Sequence, residues 1–84
     1  MNKKVLIRKI EEFKGEENKP YESFYIGITD HPHQKRPIKL SLEADNHETA
    51  KDVKDYFTAS LHGMEDGGED GETPKHVYIY TKQA

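Results

Sequence analysis

The sequence predicts a single α+β domain, a small and mainly antiparallel sheet packed against two helices. Three observations lead there. The chain has 84 residues, enough for one domain spanning 1–84. Two stretches, 3–14 and 45–61, place apolar residues at helical spacing. Two others, 23–29 and 76–82, alternate apolar residues with tyrosine, glycine and threonine at strand spacing.

In the first stretch Leu6, Ile10 and Phe13 fall at i, i+4 and i+7 with Ile7 beside them, which predicts a helix over 3–14. A strand over 5–10 is the weaker reading because the helical stripe runs further. Gly15 is the expected stop, followed by a polar connector over 16–20. In 23–29, Phe24, Ile26 and Ile28 point one way and Tyr25, Gly27 and Thr29 the other. Gly27 leaves room on its own face for something to approach. A turn over 30–33 leads to a short strand at 38–42, with Ile38, Leu40 and Leu42 on one face. Asp45 and Glu48 have the spacing of a capping box with aspartate as the cap. Ala50, Val53, Phe57 and Leu61 continue as a helical stripe, and Gly63 supplies a left-handed stop. Residues 65–75 read as a mobile, acidic, glycine-rich loop, and 76–82 as the last strand, with Val77 and Ile79 opposite Tyr78 and Tyr80.

Composition limits the functional classes. The chain is 32% hydrophobic and 35% charged, has a mean hydropathy of −1.05, and contains no cysteine. Disulfides and thiolate metal sites are therefore excluded, and a reducing compartment fits. No apolar run approaches the roughly 20 residues that span a bilayer, and the basic start over 1–8 lacks the apolar stretch of a signal peptide. The expectation is a cytoplasmic monomer with no membrane contact. The net charge of −3 argues against nucleic acid, because phosphate neutralisation dominates such binding. Its distribution argues less so: residues 1–40 carry nine Lys/Arg against six Asp/Glu, while residues 41–84 carry four against ten. The first half is net basic.

Tyr25-Ile26-Gly27-Ile28-Thr29-Asp30 resembles the second half of the GIY-YIG nuclease signature, and the likeness runs on loosely through Pro32, Lys35 and Arg36. It resumes from Ala50 to Phe57, in the glycine-rich segment, and in Val77-Tyr78-Ile79-Tyr80. No Gly-Ile-Tyr precedes Tyr25, but His76-Val77-Tyr78-Ile79-Tyr80-Thr81-Lys82 resembles the missing strand. The resemblance thus implies a degenerate, circularly permuted domain with the C-terminal strand beside the Tyr25 strand. It implies that Tyr25 and Tyr78 match the tyrosines that position the nucleophilic water. Lys35, or its neighbour Arg36, takes the place of the phosphate-binding arginine. The metal-binding glutamate position falls on Lys54. An ammonium has no lone pair for Mg²⁺ and repels it. The catalytic set Tyr25, Tyr78, Lys35 and Arg36 is then vestigial, with no metal and no cofactor; Mg²⁺ enters only if the chain is a nuclease after all.

Each feature also has an ordinary reading. Tyr25, Tyr78 and Tyr80 suit a half-buried sheet face, Lys35 and Arg36 suit solvent, and Lys54 suits an exposed helix face. His31 and His33 flank Pro32 in a turn without a specified third zinc ligand. His47, His62 and His76 are scattered. The acidic segment lacks EF-hand spacing. Three functions follow: a catalytically degenerate module that binds nucleic acid or a protein, a metal-dependent phosphodiesterase drawing a carboxylate from Glu48, Asp55 or the acidic loop, or an unrelated α+β interaction module.

Overall fold

The computed structural model describes residues 1–31, 38–59 and 62–82. Two α-helices lie against a four-stranded sheet, so the predicted α+β architecture is the observed one. Lys35, Arg36, His33 and Leu61 lie outside the described residues.

Helix α1 spans Lys3–Glu17. It opens on Asn2, whose side chain accepts the Val5 N–H at 2.9 Å. It does not stop at Gly15. Asn18 adopts the left-handed conformation at φ 54° and returns its N–H to the Lys14 and Gly15 carbonyls, so the cap lies three residues later. A short 3₁₀ turn, Tyr21–Ser23, leads into strand β1, Phe24–Thr29. Strand β2 is Leu40–Glu43, starting two residues and ending one residue later than the 38–42 expected. Helix α2, His47–Thr58, is capped by Asn46. The Asn46 side chain accepts the Thr49 N–H at 2.8 Å, while Asp45, the expected cap, pairs with the Met1 amine at 3.0 Å. The helix ends before Gly63, with Ala59 as its C-cap.

The sheet order is β2-β4-β1-β3. Strand β4, His76–Thr81, runs antiparallel to β1, with Tyr25 opposite Tyr80 and Gly27 opposite Tyr78. This is the neighbour relation the sequence led us to expect. On its other side β4 pairs antiparallel with β2. The third pairing was not foreseen. Residues 65–70 of the supposed mobile loop form strand β3, Glu65–Asp70, which runs parallel to β1. Glycine makes the docking possible: a Cβ at Gly67 would sit 3.1 Å from the Ile26 carbonyl oxygen.

Phe24, Ile26, Ile28, Val77 and Ile79 share the face that meets the helices and are fully or almost fully buried, as are Leu6 and Ile10 from α1 and Ala50, Val53 and Phe57 from α2. Helix α2 lies directly on the sheet, and α1 packs on α2 while its Phe13 ring reaches Phe24 at 5.5 Å. Each large apolar side chain buried this way contributes about 1.5–3 kcal/mol. No described helix is long and apolar enough to cross a membrane.

The cap assignment can be checked directly. Asn46→Ala should cost about 0.5–2 kcal/mol in urea unfolding. Asp45→Ala, which removes only an exposed ion pair, should cost no more than about 1 kcal/mol. The reverse order would restore Asp45 as the cap.

Candidate functional site

Alternation along the strands sorts the candidate residues onto two faces. Odd-numbered β1 residues and even-numbered β4 residues point away from the helices, so Tyr25, Gly27, Tyr78 and Tyr80 share one face. The Tyr25 and Tyr80 rings stack with centroids 4.8 Å apart and an interplanar angle of 12°. Tyr78 follows at 5.9 Å from Tyr80, again at 12°. Lys82 lies at the end of this row. Its ammonium is 5.6 Å from the Tyr25 ring centroid and 3.1 Å from the Glu65 carboxylate, an arrangement in which the cation faces both the ring's negative π-cloud and an anion. Of the three rings Tyr25 is the most accessible, since Tyr78 and Tyr80 are buried.

Gly27 explains the lie of Tyr78. The two residues are opposite each other in the sheet, and a Cβ on Gly27 would run into Tyr78 Cζ and Oη. The missing side chain lets the phenol cross β1 and donate its hydroxyl hydrogen to the Gly67 carbonyl on β3 at 3.2 Å. The room anticipated at Gly27 is thus filled from within the domain, and the Tyr78 hydroxyl ties three strands together.

Lys54 is elsewhere. It is not the exposed helix lysine of the ordinary reading: only 8% of its side-chain surface is accessible. It projects from α2 on the helical face and reaches β3, where its ammonium lies 3.2 Å from both Asp66 carboxylate oxygens and 3.7 Å from Glu69. Asp66 also accepts the Gly68 N–H at 2.7 Å. Partial burial pushes the Asp66 carboxyl up, but the Gly68 N–H and the Lys54 ammonium outweigh it and hold the carboxyl below its usual value. Asp66 and Glu69 pair with Ile26 and Ile28 in the β1–β3 register, so they lie on the helical face. The fold therefore gathers Tyr25 and Tyr78 on one face and puts Lys54 with its two carboxylates on the other. Glu48 and Asp55, the substitute carboxylates considered for a nuclease, are exposed on α2.

Sequence reasoning missed Asp66 and Glu69 as partners of Lys54, and Gly67 as the acceptor for Tyr78. The pattern Asp-Gly-Gly-Glu contains a signal in retrospect: two glycines between carboxylates allow a bulge that turns both carboxylates to one side. The pairing register does shift between Ile26 and Ile28. Among the described residues, no group of three or more His, Asp or Glu side chains is placed to hold a metal ion.

The Gly27–Tyr78 crossing yields a double-mutant test. Gly27→Ala should cost about 1–3 kcal/mol by displacing a buried ring. Tyr78→Phe should cost about 1 kcal/mol through the lost hydrogen bond to Gly67. Combining Gly27→Ala with Tyr78→Val should cost less than the sum of Gly27→Ala and Tyr78→Val measured singly, because the clash disappears. Strict additivity in urea unfolding would show that the two positions do not meet.

No family model matches this chain, and neither the search of curated proteins nor that of solved structures finds a match.

Proposed function

We propose that the chain is a catalytically inactive, GIY-YIG-like binding module, a cytoplasmic monomer whose partner is a nucleic acid met on the tyrosine face. The observation that carries the loss of catalysis is the Lys54 ion pair. At the helix position where the resemblance implies a metal-binding carboxylate, this chain has a buried ammonium already held by Asp66 and Glu69. An ammonium has no lone pair to offer a metal ion, and the two carboxylates nearest it are already engaged by that ammonium.

What supports binding is the chemistry of the opposite face. Tyr25, the accessible ring of the stacked row, offers an aromatic surface, and Lys82 beside it supplies a cation that it shares with Glu65. Aromatic platforms with flanking positive charge hold single-stranded nucleic acid by base stacking and phosphate attraction. Lys35 and Arg36, which follow β1 in sequence, add two cations; arginine's planar fork suits phosphate.

Titration of fluorescent single- and double-stranded oligonucleotides at low salt tests the reading. The expected outcome is binding that weakens steeply as salt rises and falls in the Lys35→Ala/Arg36→Ala double variant. Tyr25→Ala should weaken single-strand binding by about 1–3 kcal/mol. No binding at high protein concentration would transfer the module to a protein partner. The same samples with Mg²⁺ or Mn²⁺ should show no cleavage. Metal-dependent cleavage abolished by Asp55→Ala would make the chain a phosphodiesterase and overturn the proposal.

A further inference from the structure

Strand β3 is an unusual edge strand. Its six residues, Glu65–Asp70, are four carboxylates and two glycines, so no apolar side chain of its own anchors it to the core. Main-chain pairing with β1 and polar side chains from the body of the domain hold it instead. Lys54 grips Asp66 and Glu69 from the helical face, Tyr78 donates to the Gly67 carbonyl from the other, and Lys82 forms an exposed ion pair with Glu65 at the start of the strand. The strand is tethered at both ends. Met64 is buried in the core just before it. Beyond it, Asp30 donates its N–H to the Asp70 carbonyl, its carboxylate accepts the Thr73 N–H, and Pro74 is buried. Gly63 and Gly71, both at positive φ, flank the segment at its two ends.

We propose that β3 is a latched edge strand that opens on its own when the Lys54 latch is neutralised, leaving the other three strands and both helices in place and uncovering one edge of β1. A buried ammonium tolerates its environment only while its carboxylate partners are ionised. Once they are neutral, Lys54 must take its charge back to water, and the route lies through the space β3 occupies. No apolar surface of β3 opposes the movement. The uncovered edge would present the unpaired main chain of β1 to another extended segment, the ordinary template for strand addition.

Among the described residues the charged groups around the latch are few. On β3 they are Asp66 and Glu69; Glu65 and Asp70 pair with Tyr25 and Thr29 and so share the tyrosine face. On α2 the adjacent charged positions, Lys51 and Asp55, are exposed. Strands β1 and β4 present Ile26, Ile28, Val77 and Ile79 on this side. The sign follows from Asp66. A carboxyl held below its usual value stabilises the docked state above that value, and the contribution disappears as pH falls through the lowered one. Opening therefore sets in at the acid end, below the usual carboxylate value of about 3.9.

Amide hydrogen exchange measured by NMR tests the latch on the intact chain. The Asp30 N–H donates to Asp70 across β1–β3, whereas the Lys39 and Lys82 N–H groups donate to Ile79 and Ser23 across the other two pairings. At pH 7 the Asp66→Asn/Glu69→Gln double variant should lose Asp30 protection by about tenfold or more, with Lys39 and Lys82 unchanged. Lowering the pH of the wild type should do the same. In Lys54→Met, where no buried charge remains to be freed, acid should leave the ratio of Asp30 to Lys39 protection unchanged. Loss of all three protections in step, an unaffected Asp30 in the double variant, or acid opening that persists in Lys54→Met would each overturn the proposal.

Discussion

Strand β1 is the member on which the other parts of the sheet depend, and one constraint governs it: its two faces must be entirely different. On the helical face Phe24, Ile26 and Ile28 are completely buried. They give α2, and through it α1, a surface to pack on. On the other face Gly27 must carry no side chain, since Tyr78 crosses there. With β4 on one side and β3 on the other, β1 has no free edge. A shift of one residue in the β1–β4 pairing would set the isoleucines of β1 against the tyrosines of β4, so that register is strongly specified.

The two flanking strands obtain their register by different physics. Strand β4 has Val77 and Ile79 to bury and tyrosines to stack, so hydrophobic alternation places it. Strand β3 has nothing apolar to bury, and a strand of carboxylates and glycines can slide at little cost. Lys54 and Tyr78 supply the missing specification from opposite faces: one requires Asp66 and Glu69 on the helical side, the other requires the Gly67 carbonyl within reach of its hydroxyl. Replacing a buried ion pair with apolar residues is often neutral in stability, and its best-attested use is to fix a register. The Lys54 pair suits that role, since its carboxylates are partly exposed while its ammonium is not.

This arrangement also changes the meaning of the residues that suggested a nuclease. A tyrosine that positions a nucleophilic water needs its hydroxyl directed at substrate, and Tyr78 directs its own at a carbonyl of the same domain. The helix position where the resemblance implies a carboxylate carries Lys54, on the face opposite the tyrosines. Lys54 and the tyrosines thus lie on two different surfaces, one holding an edge strand and the other bearing a stacked aromatic row.

The sequence by itself determined the elements whose apolar residues repeat at a regular interval: α1, α2, β1 and β4, and the burial of Phe24, Ile26, Ile28, Val77 and Ile79. Periodicity is a local signal and survives without knowledge of the fold. Helix ends were less legible, because Asn18 and Asn46 act as caps through a single side-chain or backbone geometry that Gly15 and Asp45 advertised equally well. Tertiary structure alone decided the fate of the acidic glycine-rich segment and of Lys54. Neither carries an apolar pattern. A run of carboxylates and glycines looks like a solvated loop, and a lysine on a helix looks exposed, until the fold brings them within 3.2 Å of each other. The attraction that makes one a strand and the other a buried cation acts between residues far apart in sequence, so it exists only once the chain has folded.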